Sequence, residues 1–492
     1  MTINKALNIS LSGLNANQAA LNVVSHNIAN LNTEGYVRQR VNFAEVRTPT
    51  TDASVRGQIA SLSGVKVAGI STAANDYLNN YYRTQNSIYE GLVADAETAS
   101  QLADLMDELK GTGLGDSLTE FFNAANALNQ NPTDYSLRIN YAEKAKAVAN
   151  KFNSMSVNID SLKESKVGNG VSVDSAEASQ VGTDVEKLNS YVEQLLAVNK
   201  QISNRPEDAG LQTQRDQLLS KISSLANVTT TLNPSGTANV KIGNTELITH
   251  CEIQNTLEVT ANGSILAVND KGAAQDITDT ITGGSLGGTL SGVSTIDKIK
   301  TAVNTLASAF ANAMNEIQMY QDGDIKACSY DRTNDQLVES SVEMFSSKDG
   351  GPITASNITI NQALYNNPDL IAAARVDTAE VGWEKSVGNG DNALEFFNVQ
   401  SKKLGELGNL TMTDYLISLA TKTALDAEQK ANDADVQGSI VDGINNQILS
   451  ETGVNLDEEL TNMIIYQQAY NASARVFSAC VEVYDTLVAL GT

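Results

Sequence analysis

Histidine, cysteine, tryptophan and proline are scarce in this chain: its 492 residues include two histidines, three cysteines, one tryptophan and six prolines. The cysteines, Cys251, Cys328 and Cys480, are odd in number and widely spaced. That excludes a disulfide framework and any C-x-x-C metal or redox motif. Basic residues are few as well, 33 against 58 acidic ones, for a formal net charge of −25. So acidic a chain lacks the basic face that nucleic acid requires and is repelled by anionic lipid, so neither partner is expected. No run approaches the 18 apolar residues of a membrane-spanning helix, so no membrane insertion is expected. Residues 1–13 contain Lys5 but no seven-residue apolar core. They therefore do not read as a cleavable signal peptide, and exit from the cell would use another route.

What is present is mostly helical periodicity. The chain is 41% apolar, and at roughly 150 residues per domain its length suggests about three domains. Leu7, Leu11, Leu14, Gln18, Leu21, Ser25 and Ile28 follow a 4-3 spacing near the N-terminus. Leu456, Leu460, Met463, Gln467, Tyr470, Ala474, Phe477, Val481, Tyr484 and Val488 do the same near the C-terminus, behind Asn455 as a plausible N-cap. Both ends therefore read as coiled-coil-like helices. Between them, Ile88, Leu92, Ala99, Leu102, Met106 and Leu109 mark a helix whose seam Asp95 interrupts. Tyr141, Ala145, Val148, Phe152, Met155, Ile159 and Leu162 mark another, after the break at Asn131-Pro132. Val185 to Ile202 and Leu211 to Leu225 are separated by Arg205-Pro206, and helical spacing is expected throughout as far as about Ala226.

The period then changes. Val228–Leu232, Ala238–Ile242 and Thr245–Ile253 are rich in Val, Ile and Thr, and Leu257–Ala261 and Ser264–Val268 flank the hairpin signal Asn262-Gly263. Ile296, Ile299, Val303, Leu306, Phe310, Ala313, Ile317 and Tyr320 restore a helix, and Tyr415 to Leu449 gives one more. The expected fold is mainly α with β-rich inserts: long coiled-coil-like terminal helices, a helical rod domain and an outer β-rich region. Residues 1–35 with 453–492 form the terminal-helix core. Residues 36–227 with 291–321 and 392–452 form the helical middle domain, and 228–290 and 322–391 form the β-rich outer region.

Little in the chain looks like chemistry. G-K-[ST], H-E-x-x-H and G-x-S-x-G are all missing, and no enzymatic activity, cofactor or metal is expected. His26 has no second ligand nearby and reads as a helix-face residue. His250 and Cys251 are adjacent in an expected strand, so their side chains should point to opposite faces. Gly111-x-Gly113-x-Gly115 lacks the strand that precedes a phosphate loop and reads as a helix connector; Trp383 reads as core. The informative feature is the absence of charge at the ends: residues 6–33 and 460–474 contain no Asp, Glu, Lys or Arg. A solvated helix carries charge on its outer face. Asn, Ser, Gln, Thr and Ala there suggest helices covered on several sides by other copies of the chain. The ends are expected to be largely disordered in a monomer and to fold on polymerising. Residues 1–35 carry only Lys5 and Glu34, and 456–492 carry five acids and Arg475, which leaves −21 of the charge on 36–455.

Asn27-Ile28-Ala29-Asn30-Leu31-Asn32-Thr33-Glu34-Gly35-Tyr36-Val37-Arg38-Gln39 resembles the N-terminal signature of the bacterial flagellar axial proteins, the rod, hook and hook-associated proteins. Gly453-Val454-Asn455-Leu456-Asp457-Glu458-Glu459-Leu460 and Tyr466-Gln467-Gln468-Ala469-Tyr470-Asn471-Ala472-Ser473-Ala474-Arg475-Val476 are similar to its C-terminal pattern. Internal landmarks at Gly283–Leu290 and Gly390-Asp391-Asn392 are similar too. The chain departs from the family's pattern at Glu34, where proline is common, and at His26, where asparagine is usual.

Arg38-Gln39 is most similar to the hook-associated branch that joins hook to filament. The resemblance implies a structural subunit of the flagellum that polymerises into the hook–filament junction and is needed for filament assembly. It also implies export without a cleavable signal peptide through the flagellar type III apparatus. The implied partners are further copies of the chain, the hook protein, a second junction protein and a cytoplasmic export chaperone on the C-terminal helix. Residues expected to pack subunits are Leu7, Leu11, Leu14, Leu21, Ile28, Asn30, Asn32, Thr33, Gly35, Tyr36 and Arg38 at one end. At the other they are Leu456, Leu460, Met463, Tyr470, Ala474, Phe477, Val481, Tyr484 and Val488. Asn30, Asn32 and Thr33 can bond local backbone and Gly35 permits a left-handed turn, so the first helix is expected to end near Thr33. Tyr36 and Arg38 would then reach a neighbouring subunit or, alternatively, pack on their own chain. Two other functions stay open: another axial protein of hook or distal rod, or a β-rich region acting as an adhesive or glycan-binding module.

Overall fold

The computed structural model describes residues 3–33, 36–48, 61–72, 75–107 and 113–490. Helix α1 (Ile3–Ala29) leads into an antiparallel hairpin, β1 (Gln39–Thr48) and β2 (Ser61–Thr72). This hairpin lies where helix was expected. Val41 and Phe43 on one strand and Val65 and Val67 on the other alternate with period two, and β-branched alternation over ten residues outweighs the helical tendency of the surroundings. The helix before it stops at Ala29, short of Thr33, where Asn30 Nδ2 bonds the His26 carbonyl at 2.9 Å.

Helices α2 (Asp76–Asp107), α3 (Leu114–Gln130), α4 (Tyr135–Val167), the single turn α5 (Val173–Glu177), α6 (Gln180–Asn204) and α7 (Ala209–Leu225) follow. Their starts are set by caps. Asp134 accepts from Ser136 N and Leu137 N at 2.7 and 3.2 Å, and Asp208 accepts from Gly210 N and Leu211 N at 3.1 and 3.2 Å. Strands β3 (Val228–Leu232), β4 (Ala238–Ile242), β5 (Thr245–Thr249) and β6 (Glu252–Ile253) form one antiparallel meander. A second comprises β7 (Asn255–Val259), β8 (Ile265–Asn269) and β9 (Ala274–Asp276). After α8 (Gly284–Gln318) come the short strands β10 (Gln321–Asp322), β11 (Ile325–Asp331), β12 (Gln336–Glu339), β13 (Phe345–Ser347) and β14 (Ile358–Ile360). Then follow α9 (Gln362–Asn366), β15 (Ala374–Asp377), α10 (Asp391–Asn398), α11 (Met412–Thr452) and α12 (Leu456–Leu490).

Two large apolar cores result. One joins α3, α4, α8 and α10 around stacked rings: Phe121 lies 4.8 Å from Tyr141 and 5.4 Å from Phe310, and Phe310 lies 4.9 Å from Phe345. Fully burying each such ring stabilises by about 1.5–3 kcal/mol. The other core fills the space between α6, α7 and the strands β3–β8. Trp383 is half-buried rather than central and packs on a small cluster of Cys328, Leu337 and Ala374. His250 and Cys251 lie on the turn between β5 and β6, not in a strand. His250 has φ 58°, its N–H donates to Asn239 Oδ1 at 2.7 Å, and Nδ1 pairs with Thr237 Oγ1 at 2.9 Å. Gly111 lies outside the described residues, and Gly113 precedes α3 as its N-cap.

Two polar residues, one of them read from the sequence as an interruption, are ties between elements. Asp95, the break in the α2 seam, accepts from Lys430 Nζ at 2.9 Å and from Ser291 Oγ at 3.0 Å, joining α2 to α11 and α8. Asn392 is buried and donates to the carbonyls of Ile317 and Ala372 at 3.1 and 2.6 Å. The glycine run 283–288 opens α8 rather than closing the β-rich segment, because missing side chains let two helices touch. A Cβ on Gly288 would lie 2.0 Å from the Gly91 carbonyl of α2. Gly288→Ala should therefore cost about 1–3 kcal/mol in urea unfolding, since backbone cannot yield as a side chain can. Gly443→Ala on α11, where nothing lies within 4 Å, should stabilise by about 0.4–1 kcal/mol.

Candidate functional site: the clasp between the two ends

The ends of the chain meet. α1 and α12 run antiparallel, with Gly13 against Ser473 and Asn27 against Glu459. Both intervals are two heptads long, so the contact keeps a 3.5-residue period along its length. A Cβ on Gly13 would lie 2.9 Å from Ser473 Oγ, and Ser10, Ala16, Ala20, Val23 and Val24 are buried along the same helix. On its other side α1 carries the hairpin: Ser12 Oγ accepts from Val65 N at 3.2 Å, beside Gly64 with φ +124°. The ring of Phe43 on β1 meets Tyr466 of α12 edge-on at 6.3 Å.

The interior of this pair is asymmetric. α1 buries mainly small residues, whereas α12 covers larger ones in part, Met463, Tyr466, Tyr470 and Phe477 among them. Leu7, Leu14, Leu21 and Ile28 are half-buried and Leu11 is exposed. On α12, Met463, Tyr470, Ala474, Phe477 and Val481 are partly covered, whereas Leu456, Leu460, Tyr484 and Val488 are exposed. Ile464, Ile465, Val476, Val483 and Leu487, outside the expected seam, are exposed as well, Ile464 by 55% and Val483 by 52%. Asn32 and Thr33 are exposed, Asn30 is half-buried, and Gly35 lies outside the described residues.

At the base of the pair is a polar cluster. Glu459 in the first turn of α12 is 1% exposed. Its Oε1 accepts from Arg38 Nε at 2.6 Å and its Oε2 from Asn27 Nδ2 at 3.1 Å. Arg38 also donates from Nη1 to Glu458 Oε2 at 2.5 Å, and its backbone N–H donates to the Thr452 carbonyl at 2.9 Å. Asn27 exchanges two bonds with the Gln39 backbone, Nδ2 to O at 2.9 Å and N to Oδ1 at 3.0 Å. Tyr36 Oη donates to Asn27 Oδ1 at 2.8 Å and lies 2.9 Å from His26 Nδ1. Asn455 starts α12 by accepting from Asp457 N at 2.9 Å.

Burial, reinforced by the Glu459 carboxylate, pushes the Tyr36 phenol up to about 12, so it stays a donor. Burial also works against the Arg38 charge, but the Glu458 hydrogen bond and the fields of Glu459 and Glu458 outweigh it and raise the guanidinium above its usual value. The polar groups of Tyr36 and Arg38 are thus engaged on the chain's own elements, not directed at a neighbour. Asn27, Glu458 and Glu459 were missed as a site. Their sequence signals were three acids at a helix start, one of six asparagines on α1, and their places within the two signatures quoted above. Among the described residues, no group of three or more His, Cys, Asp or Glu is placed to hold a metal.

Comparisons with known proteins bracket this geometry. A family model described as flagella basal body rod protein matches residues 7–36, and one described as flagellar basal body rod FlgEFG protein C-terminal matches 445–490. Between them, the model of the flagellar hook-associated protein FlgK helical domain matches 99–323. The matched ends contain the two helices of the clasp and are similar to flagellar axial proteins. Flagellar hook-associated protein 1 of Bacillus subtilis is 28% identical, covering 96% of this chain and 96% of the relative. That of Salmonella typhimurium is 24% identical over 98% of this chain and 99% of its own. Over nearly its full length, then, the chain has homologues named flagellar hook-associated protein 1. In fold it is similar to the flagellar hook junction protein FlgK from Burkholderia pseudomallei, with a TM-score of 0.56, 16% identity, and coverage of 76% of this chain and 99% of that one.

Removing one partner of a buried ion pair leaves an uncompensated charge, at about 3–5 kcal/mol. Glu459→Ala should cost that much in denaturant unfolding followed by a probe on α12. Arg38→Met combined with Glu459→Leu should recover most of it, because apolar replacement of both partners is nearly neutral.

Proposed function

We propose that the chain is a structural subunit of the bacterial flagellum that polymerises into the junction between hook and filament, where filament assembly depends on it. The observation that carries this reading is the apolar surface the terminal pair leaves uncovered. Leu460, Ile464, Ile465, Val476, Val483 and Leu487 face outward, the first three within the charge-free run 460–474. A two-helix pair gains little from water in that arrangement, and several exposed aliphatic side chains, each releasing about 1.5–3 kcal/mol on full burial, require a cover. The cover is the same pair on adjacent copies, packed around a common axis. The hook protein and a second junction protein continue that packing at the two faces of the ring.

Before assembly the same apolar face of α12 is the surface an export chaperone would mask, in the manner of an amphipathic helix in a groove. The chain leaves the cell unfolded through the flagellar export apparatus. The β-rich segments carry much of the acidic charge to the outside, where salt screens it. A reading as hook or rod protein is disfavoured by the match of the helical-domain model in the middle of the chain.

Two outcomes test this. Leu460→Asp with Ile464→Asp should abolish polymerisation, seen by electron microscopy and sedimentation, while urea unfolding of the α3–α4 core moves by less than about 0.5 kcal/mol, as exposed changes do. In limited proteolysis, the monomer should be cut within 3–20 and 465–490, beyond the clasp, and the polymer should resist. Filaments still firmly attached to hooks in cells lacking the chain would overturn the assignment.

A further inference from the structure

Asn27 fixes the direction of the hydrogen bonds that link His26 and Tyr36 to Glu459. The Gln39 N–H can only donate, so the Asn27 atom 3.0 Å from it is Oδ1, and Nδ2 faces the Gln39 carbonyl and Glu459 Oε2. Tyr36 Oη lies 2.8 Å from that same Oδ1 and uses its single hydrogen there. His26 Nδ1, 2.9 Å from the Tyr36 oxygen, is left to donate. Its Nε2, 3.4 Å from Asn30 Nδ2, is then the accepting nitrogen. The bonds therefore run one way, from the last turn of α1 through Tyr36 and Asn27 to the carboxylate at the head of α12. Arg38 approaches that carboxylate from its other side.

Neither half has a substitute for the other. Glu459 alone would be a carboxylate inside the protein without a cation, and α1 has no charged residue between positions 6 and 33 to offer it. Arg38 without α12 loses both carboxylates and keeps only the bond of its backbone N–H to the Thr452 carbonyl at the end of α11.

We infer that His26, Asn27, Tyr36, Arg38 and Gln39 on one side and Thr452, Glu458 and Glu459 on the other form a two-part conformational lock, with His26 as its positioning residue, in which each end of the chain is ordered only when the other is in place. The use of such a lock rests on the polymer reading. Because its halves lie more than 400 positions apart in the sequence, the surface that meets neighbouring subunits is squared up only on a chain that has delivered both ends. A truncated chain, or one still being threaded out, presents an unlocked base and does not seat.

The test is amide hydrogen exchange on the full-length monomer. Asn27→Ala should speed exchange at Asp457, Glu458 and Glu459 at least tenfold. Glu459→Ala should speed Arg38 and Gln39 by a similar factor, because coupling between two sites is reciprocal. Amides of α3 and α4 should not move. A nitrogen-15 spectrum should place the His26 hydrogen on Nδ1, and His26→Phe should speed exchange at Tyr36 and Gln39. Effects confined to the mutated side, a hydrogen on Nε2, or an unprotected Gln39 amide in the unmutated chain would each overturn the lock. A chain that polymerises but shows no coupling rejects the lock alone. One that is coupled but never polymerises rejects the junction reading and leaves the lock standing.

Discussion

A carboxylate taken out of water must find a cation and enough donors, or the fold around it does not hold. Glu459 meets that requirement with Arg38 and Asn27, both from the opposite end of the chain. Much else follows from this one requirement. The connector after α1 is held so that Arg38 points inward, the Gln39 backbone is pinned to Asn27, and α12 starts at a fixed position relative to α11 through the Thr452 carbonyl. Two terminal helices that share no sequence neighbourhood are set antiparallel and in heptad register by contacts at Gly13 and Asn27.

The pair so formed is an element of an assembly more than of a globule. Glycine, alanine and serine on α1 bring the backbones close, and a second row of large side chains on α12, from Leu460 to Leu487, stays uncovered. Elsewhere the chain behaves conventionally: aromatic rings stack in the α3–α4–α8 core and the strands pack on α6 and α7. The same device of missing side chains recurs where α8 crosses α2 at Gly288 and Gly91. In the middle of the chain it tightens a core, and at the ends it frees a surface.

The helical framework was readable because its signals are local and repeated. Tyr141, Ala145, Val148, Phe152, Met155 and Ile159 are all buried on α4, as their spacing requires. β3 and β4 begin and end where Val, Ile and Thr runs meet turn residues. The β1–β2 hairpin was hidden because its alternation is short and lies between helices. His250 and Cys251 were placed in a strand because a turn made by Asn239, Thr237 and Asn199 side chains leaves no mark at position 250 itself. Asp95 looked like a fault in an apolar pattern, since its partner Lys430 is distant in sequence.

By itself, then, the sequence determined the long helices, the strands that begin at Val228, and the charge-free runs 6–33 and 460–474. Each of these depends on residues within a few positions of one another. Tertiary structure alone decided which face of each terminal helix is inside. The 3.5-residue period marks an apolar stripe but does not say whether its large or its small members meet the partner. That choice was made at Gly13 against Ser473 and at Asn27 against Glu459, by contacts between residues more than 400 positions apart. The heptads prescribed a pairing, and the buried carboxylate settled its register.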